Sequence, residues 1–154
     1  MYHIIFDHDG TLVDTERTRS LFPGIYDLFS ELAADSTKFY VWTARNRAST
    51  VEFLKSLGII GEFEDICTAT DAPPKPVVDG LLAMLPADFD ASKTIVIGDS
   101  YTDMIGAKKI GAMAIGVTWG HARAEQREIL KEFGADQLFN EVEELIKFIK
   151  EWRN

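Results

Sequence analysis

Short runs of apolar residues alternate along the chain with stretches in which apolar residues recur every three or four positions. Continuous apolar runs are typical of strands that are buried on both faces of a parallel sheet. We expect such strands at residues 2–6, 38–42, 95–97 and 112–117, with a shorter strand-like run at 63–68.

The intervening stretches predict helices, because apolar residues at i, i+3, i+4 and i+7 form one stripe on a helix. Three stripes have this spacing: Ile25, Leu28, Phe29 and Leu32; Val78, Leu81, Leu82 and Leu85; and Val142, Leu145, Ile146 and Ile149. Pro23 suits a first helical turn, and Gly58 and Gly134 suit helix ends. Strands alternating with helices predict an α/β fold, a single three-layer Rossmann-like domain over residues 1–154 with a mainly parallel central sheet.

Polar residues gather just after the predicted strands. In doubly wound folds, ligands bind outside the carboxyl ends of the strands. The candidate residues there are Asp7, His8, Asp9, Gly10 and Thr11 after the first strand, Thr43, Ala44 and Arg45 after the second, and Asp99 to Asp103 after residues 94–97, while Lys75 and Pro76 precede a helix.

In this order, these segments resemble the four motifs of the haloacid dehalogenase superfamily, and residues 116–120 (GVTWG) resemble its phosphoglycolate phosphatase branch. The resemblance implies that Asp7 is a nucleophile that becomes phosphorylated, and that Asp9 is the acid/base residue with its backbone carbonyl on a metal ion. It further implies catalytic roles for Thr43 and Lys75. His8, Gly10, Thr43, Ala44, Arg45 and Lys75 would contact the substrate, and Asp7, Asp9, Asp99 and Asp103 would hold the metal.

The residue types suit that chemistry. An anionic nucleophile approaches an anionic phosphate only if a cation neutralises the repulsion, and Mg²⁺ prefers carboxylate and carbonyl oxygens. The Thr43 hydroxyl and the Lys75 ammonium would add donors where charge builds up. We therefore expect a Mg²⁺-dependent phosphatase, with Asp99 a stronger metal ligand than Asp103.

Structural interpretations stand beside these assignments. Ser100 with Asp103, and Thr11 with Asp14, have the spacing of a helix capping box. Thr43 also suits the end of a strand, and Lys75 suits a solvated surface position. His8 suits a hydrogen-bonded position beside the sheet. Four charged or titratable residues, Arg45, Arg47, His121 and Arg123, either bind a second anionic group or are solvated.

Relatives in the branch carry a helical cap between the first motif and the helix near Pro23, whereas only residues 15–22 stand there in this chain. The second insertion point, between Thr43 and Lys75, is also too short. We expect a capless member with an open pocket or a homo-oligomer that covers it. This argues against phosphoglycolate itself and leaves a phosphorylated small molecule or a larger phospho-substrate.

Composition limits the partners and the cellular compartment that we expect for this chain. The net charge of −9 argues against nucleic acid as a partner, and no apolar run is long enough to span a bilayer. Cys67, the single cysteine, forms no internal disulfide and excludes a zinc-holding loop. With no secretory leader at the N-terminus, these features predict a cytoplasmic protein without membrane contact.

Competing functions remain. A dehalogenase would lack the second acid, Asp9, and a phosphomutase would need a cap. A receiver-like phospho-acceptor signalling module carries its acid pair and phosphorylated aspartate on different strands, unlike Asp7 and Asp9. A catalytically silent binding domain of the same fold is the further alternative.

Overall fold

The protein is described by a computed structural model that covers residues 1–121 and 124–154. Its centre is a six-stranded sheet in the order β3-β2-β1-β4-β5-β6, with every neighbouring pair parallel. The strands are β1 (Tyr2–Phe6), β2 (Thr37–Trp42), β3 (Phe63–Cys67), β4 (Thr94–Gly98), β5 (Met113–Val117) and β6 (Gln137–Phe139). The predicted parallel α/β fold is confirmed.

Helices cover both faces of the sheet. They are α1 (Ile25–Leu32), α2 (Arg47–Ser56), α3 (Asp79–Met84), α4 (Tyr101–Lys109), α5 (Ala124–Glu132) and α6 (Val142–Trp152), with short 3₁₀ turns at Ile60–Glu62 and Ala91–Lys93. Apolar side chains of α1, α2 and α6 pack in one core cluster, and those of α3, α4 and α5 pack in the other.

Alternation along the strands divides the core between the two faces. Ile4 and Phe6 of β1 lie in the α1, α2 and α6 cluster, whereas Ile5 lies in the opposite cluster. The same alternation holds in β4, where Ile95 faces one layer and Val96 the other. Successive side chains of a strand point to opposite faces, so a strand between two layers is mostly apolar on both of its faces.

Some local predictions are wrong in detail. Leu82 lies within α3 but is exposed, because Gly80, Leu81 and Met84 form the buried side of this helix. Helix α1 begins at Ile25, after Gly24, so Pro23 precedes the helix. Thr11 and Asp14 cap no helix, since residues 11–20 form turns.

Both candidate cap positions are short. Residues 7–24, between β1 and α1, form turns and the isolated bridges Asp9–Val13 and Val13–Leu21. Between β2 and β3 lie only α2 and one 3₁₀ turn. Neither described segment contains a folded lid, as predicted for a capless member. Within the described ranges, no helix is both long and apolar enough to cross a membrane.

Candidate active site

The site lies where the strand order reverses. Strands β1 and β4 are neighbours, while β2 and β3 extend the sheet to one side and β5 and β6 to the other. A crevice therefore opens at their carboxyl ends, which is the usual ligand position in such sheets. Asp7 directly follows β1 and Asp99 directly follows β4, so this topology brings the first and fourth motifs together.

Lys75 joins two buried carboxylates. Its Nζ donates to Asp7 Oδ1 at 3.1 Å and to Asp103 Oδ1 at 2.5 Å. Its side chain is only 5% exposed and lies over the Trp42 ring, with Nζ 4.7 Å from the ring centre. Burial disfavours the charged ammonium, but Asp103 and Asp7 outweigh that effect and raise the pKa of Lys75. Lys75 is therefore a fixed cation in the site.

Three carboxylates crowd around this lysine. Oxygens of Asp7, Asp99 and Asp103 lie within 4.8 Å of one another. Burial, followed by the charge of Asp103, raises the pKa of Asp7 well above its ordinary range. Burial also raises the pKa of Asp103, against the opposing effect of Lys75. One lysine does not balance three carboxylates, so the cluster is electrostatically suited to a cation.

Asp103 also caps helix α4. Its Oδ2 accepts a hydrogen bond from the Ser100 backbone N at 3.2 Å, while the Thr102 backbone N donates to Ser100 Oγ. The predicted capping box is thus present. Because one oxygen of Asp103 is bonded to Lys75 and the other to Ser100, this carboxylate positions the lysine as well as the helix.

Asp99 is held from the opposite side. Its Oδ2 lies 2.6 Å from His121 Nε2, and its backbone carbonyl accepts from the Gln126 side chain. Gly10 lies against it, since a Cβ at this position would overlap the Asp99 carboxylate. The φ of Gly10 is +77°, and its N–H donates to Val13 O. Gly10 therefore contributes close approach rather than a free donor.

Asp9 is paired instead of clustered. Its two oxygens each lie 3.2 Å from Arg45 Nη1, and Oδ1 lies 2.9 Å from His8 Nδ1. Burial acts to raise the pKa of Asp9, but His8 and Arg45 outweigh it and lower that pKa. His8 is fully buried and packs edge-on against Phe53, and its Nε2 has no hydrogen-bond partner among the described residues.

The second motif supplies a buried hydroxyl. Thr43 is 4% exposed, and its Oγ1 accepts from the Arg45 backbone N at 3.1 Å, which leaves the hydroxyl hydrogen to be donated elsewhere. Ala44 is exposed. Arg47 pairs with Asp71 and donates to Ile66 O, so its role in the structure is to tie loop to strand.

Arg123 lies outside the described residues.

A cleft of about 150 Å³ opens beside the site, with Asp9, Asp99 and His121 among its lining residues. A larger groove of about 550 Å³ between α1 and α6 holds none of the clustered carboxylates. The chemistry, and not the size, marks the smaller cleft as the candidate site.

Three contributors were missed from the sequence: Trp42, Phe53 and Gln126. Trp42 supports Lys75 from the end of β2, and Phe53 supports His8 from α2. Apolar periodicity places aromatic residues in the core but does not reveal which of them lie under a charged group. Gln126 carries no sequence signal for its contact with Asp99.

Comparison with known proteins identifies relatives. A family model described as Haloacid dehalogenase-like hydrolase matches residues 17–117, which include Thr43, Lys75, Asp99 and Asp103. The match begins after Asp7. A protein named Probable phosphatase IndB from Dickeya dadantii is 34% identical over 125 residues, covering 79% of this chain and 54% of its own. A phosphoglycolate phosphatase from Agrobacterium fabrum is 29% identical over 70% of this chain and 47% of its own.

Solved structures show the same fold. A haloacid dehalogenase-like family hydrolase from Streptococcus pneumoniae superposes with a TM-score of 0.79 at 21% identity, covering 97% of this chain and 98% of its own. A hydrolase from Pseudomonas syringae gives 0.79 at 20% identity, with 98% and 99% covered. The chain spans about half the length of the curated relatives it matches.

Proposed function

Because the chain belongs to the haloacid dehalogenase-like hydrolase family, we propose that it is a Mg²⁺-dependent phosphatase that hydrolyses a phosphate monoester through a phosphorylated Asp7. The observation that carries the proposal is the buried Lys75, which bridges Asp7 and Asp103 beside Asp99. Relatives named phosphoglycolate phosphatase and pyrophosphatase support a phosphorylated substrate.

The donor set fits Mg²⁺. It consists of carboxylate oxygens within 4.8 Å of one another, which are the hard ligands that this ion prefers, and sulfur or paired imidazoles are not part of it. Asp7, Asp99 and the backbone carbonyl of Asp9 would hold the ion, with Asp103 as a further candidate. When bound, the ion would neutralise the repulsion between nucleophile and phosphate.

Asp7 is the proposed nucleophile, and its contacts support that role. Its Oδ1 accepts from Lys75 Nζ and from the His8 backbone N at 2.8 Å, so the carboxylate cannot rotate freely. An Asp7 oxygen forms the new bond to phosphorus as the ester oxygen leaves with its electron pair. Water then attacks the phosphorus of the aspartyl phosphate, and Asp7 is released as a carboxylate.

Asp9 is the candidate acid and base. It would give a proton to the leaving alkoxide and take one from the attacking water in the second step. Its side chain is 44% exposed at the cleft, where a leaving group can reach it. His8 and Arg45 lower the pKa of Asp9 and favour its carboxylate form, so release of the Arg45 contact would favour proton donation.

The remaining residues would bind the phosphoryl group. The Thr43 hydroxyl and the Lys75 ammonium supply fixed donors, and such donors stabilise charge as it develops without reorganising. Gly10 leaves room for the Asp99 carboxylate, which a Cβ at this position would overlap. Three further points are predictions: a phosphorylated substrate that is either small or large, assembly into a homo-oligomer, and a cytoplasmic location.

The test compares Asp7→Asn with the wild-type protein on p-nitrophenyl phosphate, with Mg²⁺ and with EDTA. We expect wild-type turnover that EDTA abolishes, and loss of turnover in Asp7→Asn. Asp35→Asn, which changes an exposed aspartate before β2, is the matched control and should retain activity. Substantial turnover by Asp7→Asn would remove Asp7 as nucleophile. A phosphorylated wild-type protein that does not turn over would favour the receiver-like alternative, and a protein that is neither phosphorylated nor active would favour a silent binding domain.

A further inference from the structure

Two arginines lie close to the Phe53 ring, and one of them, Arg45, contacts Asp9. The guanidinium carbons of Arg19 and Arg45 lie 5.0 Å and 4.8 Å from the centre of the Phe53 ring. The two like charges are thus no farther apart than the sum of these distances. The face of the ring attracts both cations, and Asp9 already pairs with Arg45, so a further anion would offset the charge of Arg19.

Arg19 reaches the ring from the short loop between β1 and α1. Its φ of +58° lies in the left-handed region, which residues other than glycine seldom adopt. The loop holds this conformation through hydrogen bonds from Arg19 N to Asp14 O at 2.7 Å and from Asp14 N to Ser20 O at 2.9 Å. Unfavourable backbone of this kind concentrates at ligand-binding sites, where the surroundings enforce it.

Neither guanidinium has an acceptor for every one of its N–H donors. Arg19 forms no ion pair within residues 1–121 and 124–154. Arg45 donates through Nη1 to Asp9, at 3.2 Å to each oxygen, and through Nη2 to Ser49 Oγ, while its buried Nε has no acceptor among the described residues. By contrast, Arg47 contacts Asp71 through both Nε and Nη2, at distances down to 2.9 Å. The donors without an acceptor in the described residues are therefore those of the Arg19 guanidinium and the Nε of Arg45.

We infer that Arg19, Arg45 and Phe53 form a subsite for a second anionic group of the substrate. The inference rests on the proposed phosphatase function and narrows its substrate to a phosphate monoester that also carries a carboxylate or a second phosphate. The contact between Arg45 and Asp9 places this subsite beside the reacting groups. Guanidinium groups recognise both anions through paired hydrogen bonds. A chain with a net charge of −9 needs local cations to accept such a substrate.

The experiment compares two matched pairs of substrates. The first pair is 3-phosphoglycerate and glycerol 3-phosphate, and the second is propane-1,3-diol bisphosphate and its monophosphate. We expect the wild-type protein to prefer the doubly anionic member of at least one pair by roughly tenfold in kcat/KM, the effect of one added charged hydrogen-bond pair. The preferred pair tells whether the second group is a carboxylate or a phosphate.

Arg19→Gln should lower that preference by roughly tenfold, since the charged donor is lost. Arg19→Gly should lower the preference equally. Glycine adopts the positive φ of this position readily, so this variant removes the charge without changing the shape of the loop. Arg127→Gln removes an exposed arginine from α5, on the β5 and β6 side of the sheet, and should leave the preference unchanged. Equal loss on both members of a pair, or no preference in the wild-type protein, would overturn the subsite.

A second readout separates this inference from the proposed function. Calorimetric binding of the same four compounds to Asp7→Asn, with and without Arg19→Gln, needs no turnover. If the wild-type protein hydrolyses no monoester, the phosphatase proposal fails and the binding preference alone decides the subsite. If hydrolysis occurs and neither turnover nor binding distinguishes the pairs, the phosphatase stands and the subsite is refuted.

Discussion

Replacing Lys75 by Met tests the electrostatic reasoning most directly. Met keeps the apolar stem over Trp42 but removes the ammonium from two carboxylates whose side chains are 11% and 1% exposed, Asp7 and Asp103. Breaking a buried ion pair typically costs about 3–5 kcal/mol. The raised pKa values of both carboxyls allow one of them to take up a proton, which recovers part of that cost.

We therefore expect Lys75→Met to lose about 2–4 kcal/mol of unfolding free energy near pH 7.5 without divalent ions. This corresponds to a fall in Tm of roughly 5–15 °C for a domain of this size. The loss should shrink toward pH 5. Carboxyls whose pKa values are higher in the folded protein than in the unfolded chain bind more protons when folded, so stability rises as the pH falls.

Urea unfolding in EDTA at both pH values measures the effect. Lys108→Met is the matched control, since Lys108 pairs with Asp136 at 2.6 Å but both side chains are at least 40% exposed. Exposed pairs contribute about 0–1 kcal/mol. A Lys75→Met loss no larger than that of the control, or one that does not depend on pH, would refute the assignment of Lys75 as the cation that holds the cluster together.

Three further results are expected. Calorimetric titration with Mg²⁺ should show a larger loss of affinity for Asp99→Ala than for Asp103→Ala, and equal or reversed losses would exchange their assigned roles. Burial, with nearby acidic residues, raises the pKa of Tyr40 to about 12, so spectrophotometric titration should show late ionisation, and stability should fall as the pH rises from about 10 through 12. Gly106→Ala should lose about 1–3 kcal/mol in urea unfolding, because its Cβ would overlap the Trp42 ring, and unchanged stability would contradict the tight packing of α4.

The sequence predicted the central strands because they are buried on both faces. Strands β1, β2, β4 and β5 are mostly apolar, and no exposed position interrupts them. β6 escaped prediction, since Gln137–Phe139 is short and partly exposed and becomes a strand only by pairing with β5. Leu82 was placed on an apolar stripe, but periodicity alone did not show that α3 is buried through Gly80, Leu81 and Met84 instead.

For the candidate site as well, the sequence predicted some features and only the tertiary structure decided others. Sequence order alone placed Asp7, Thr43 and Asp99 at the strand ends, because parallel strands bring their carboxyl ends to one edge of the sheet. Only the tertiary structure decided the pairings: Lys75 with two carboxylates, Arg45 with Asp9, and two arginines around one ring. Those pairings join residues far apart in the chain, and their distances depend on how helices and loops pack, which no local pattern of residues encodes.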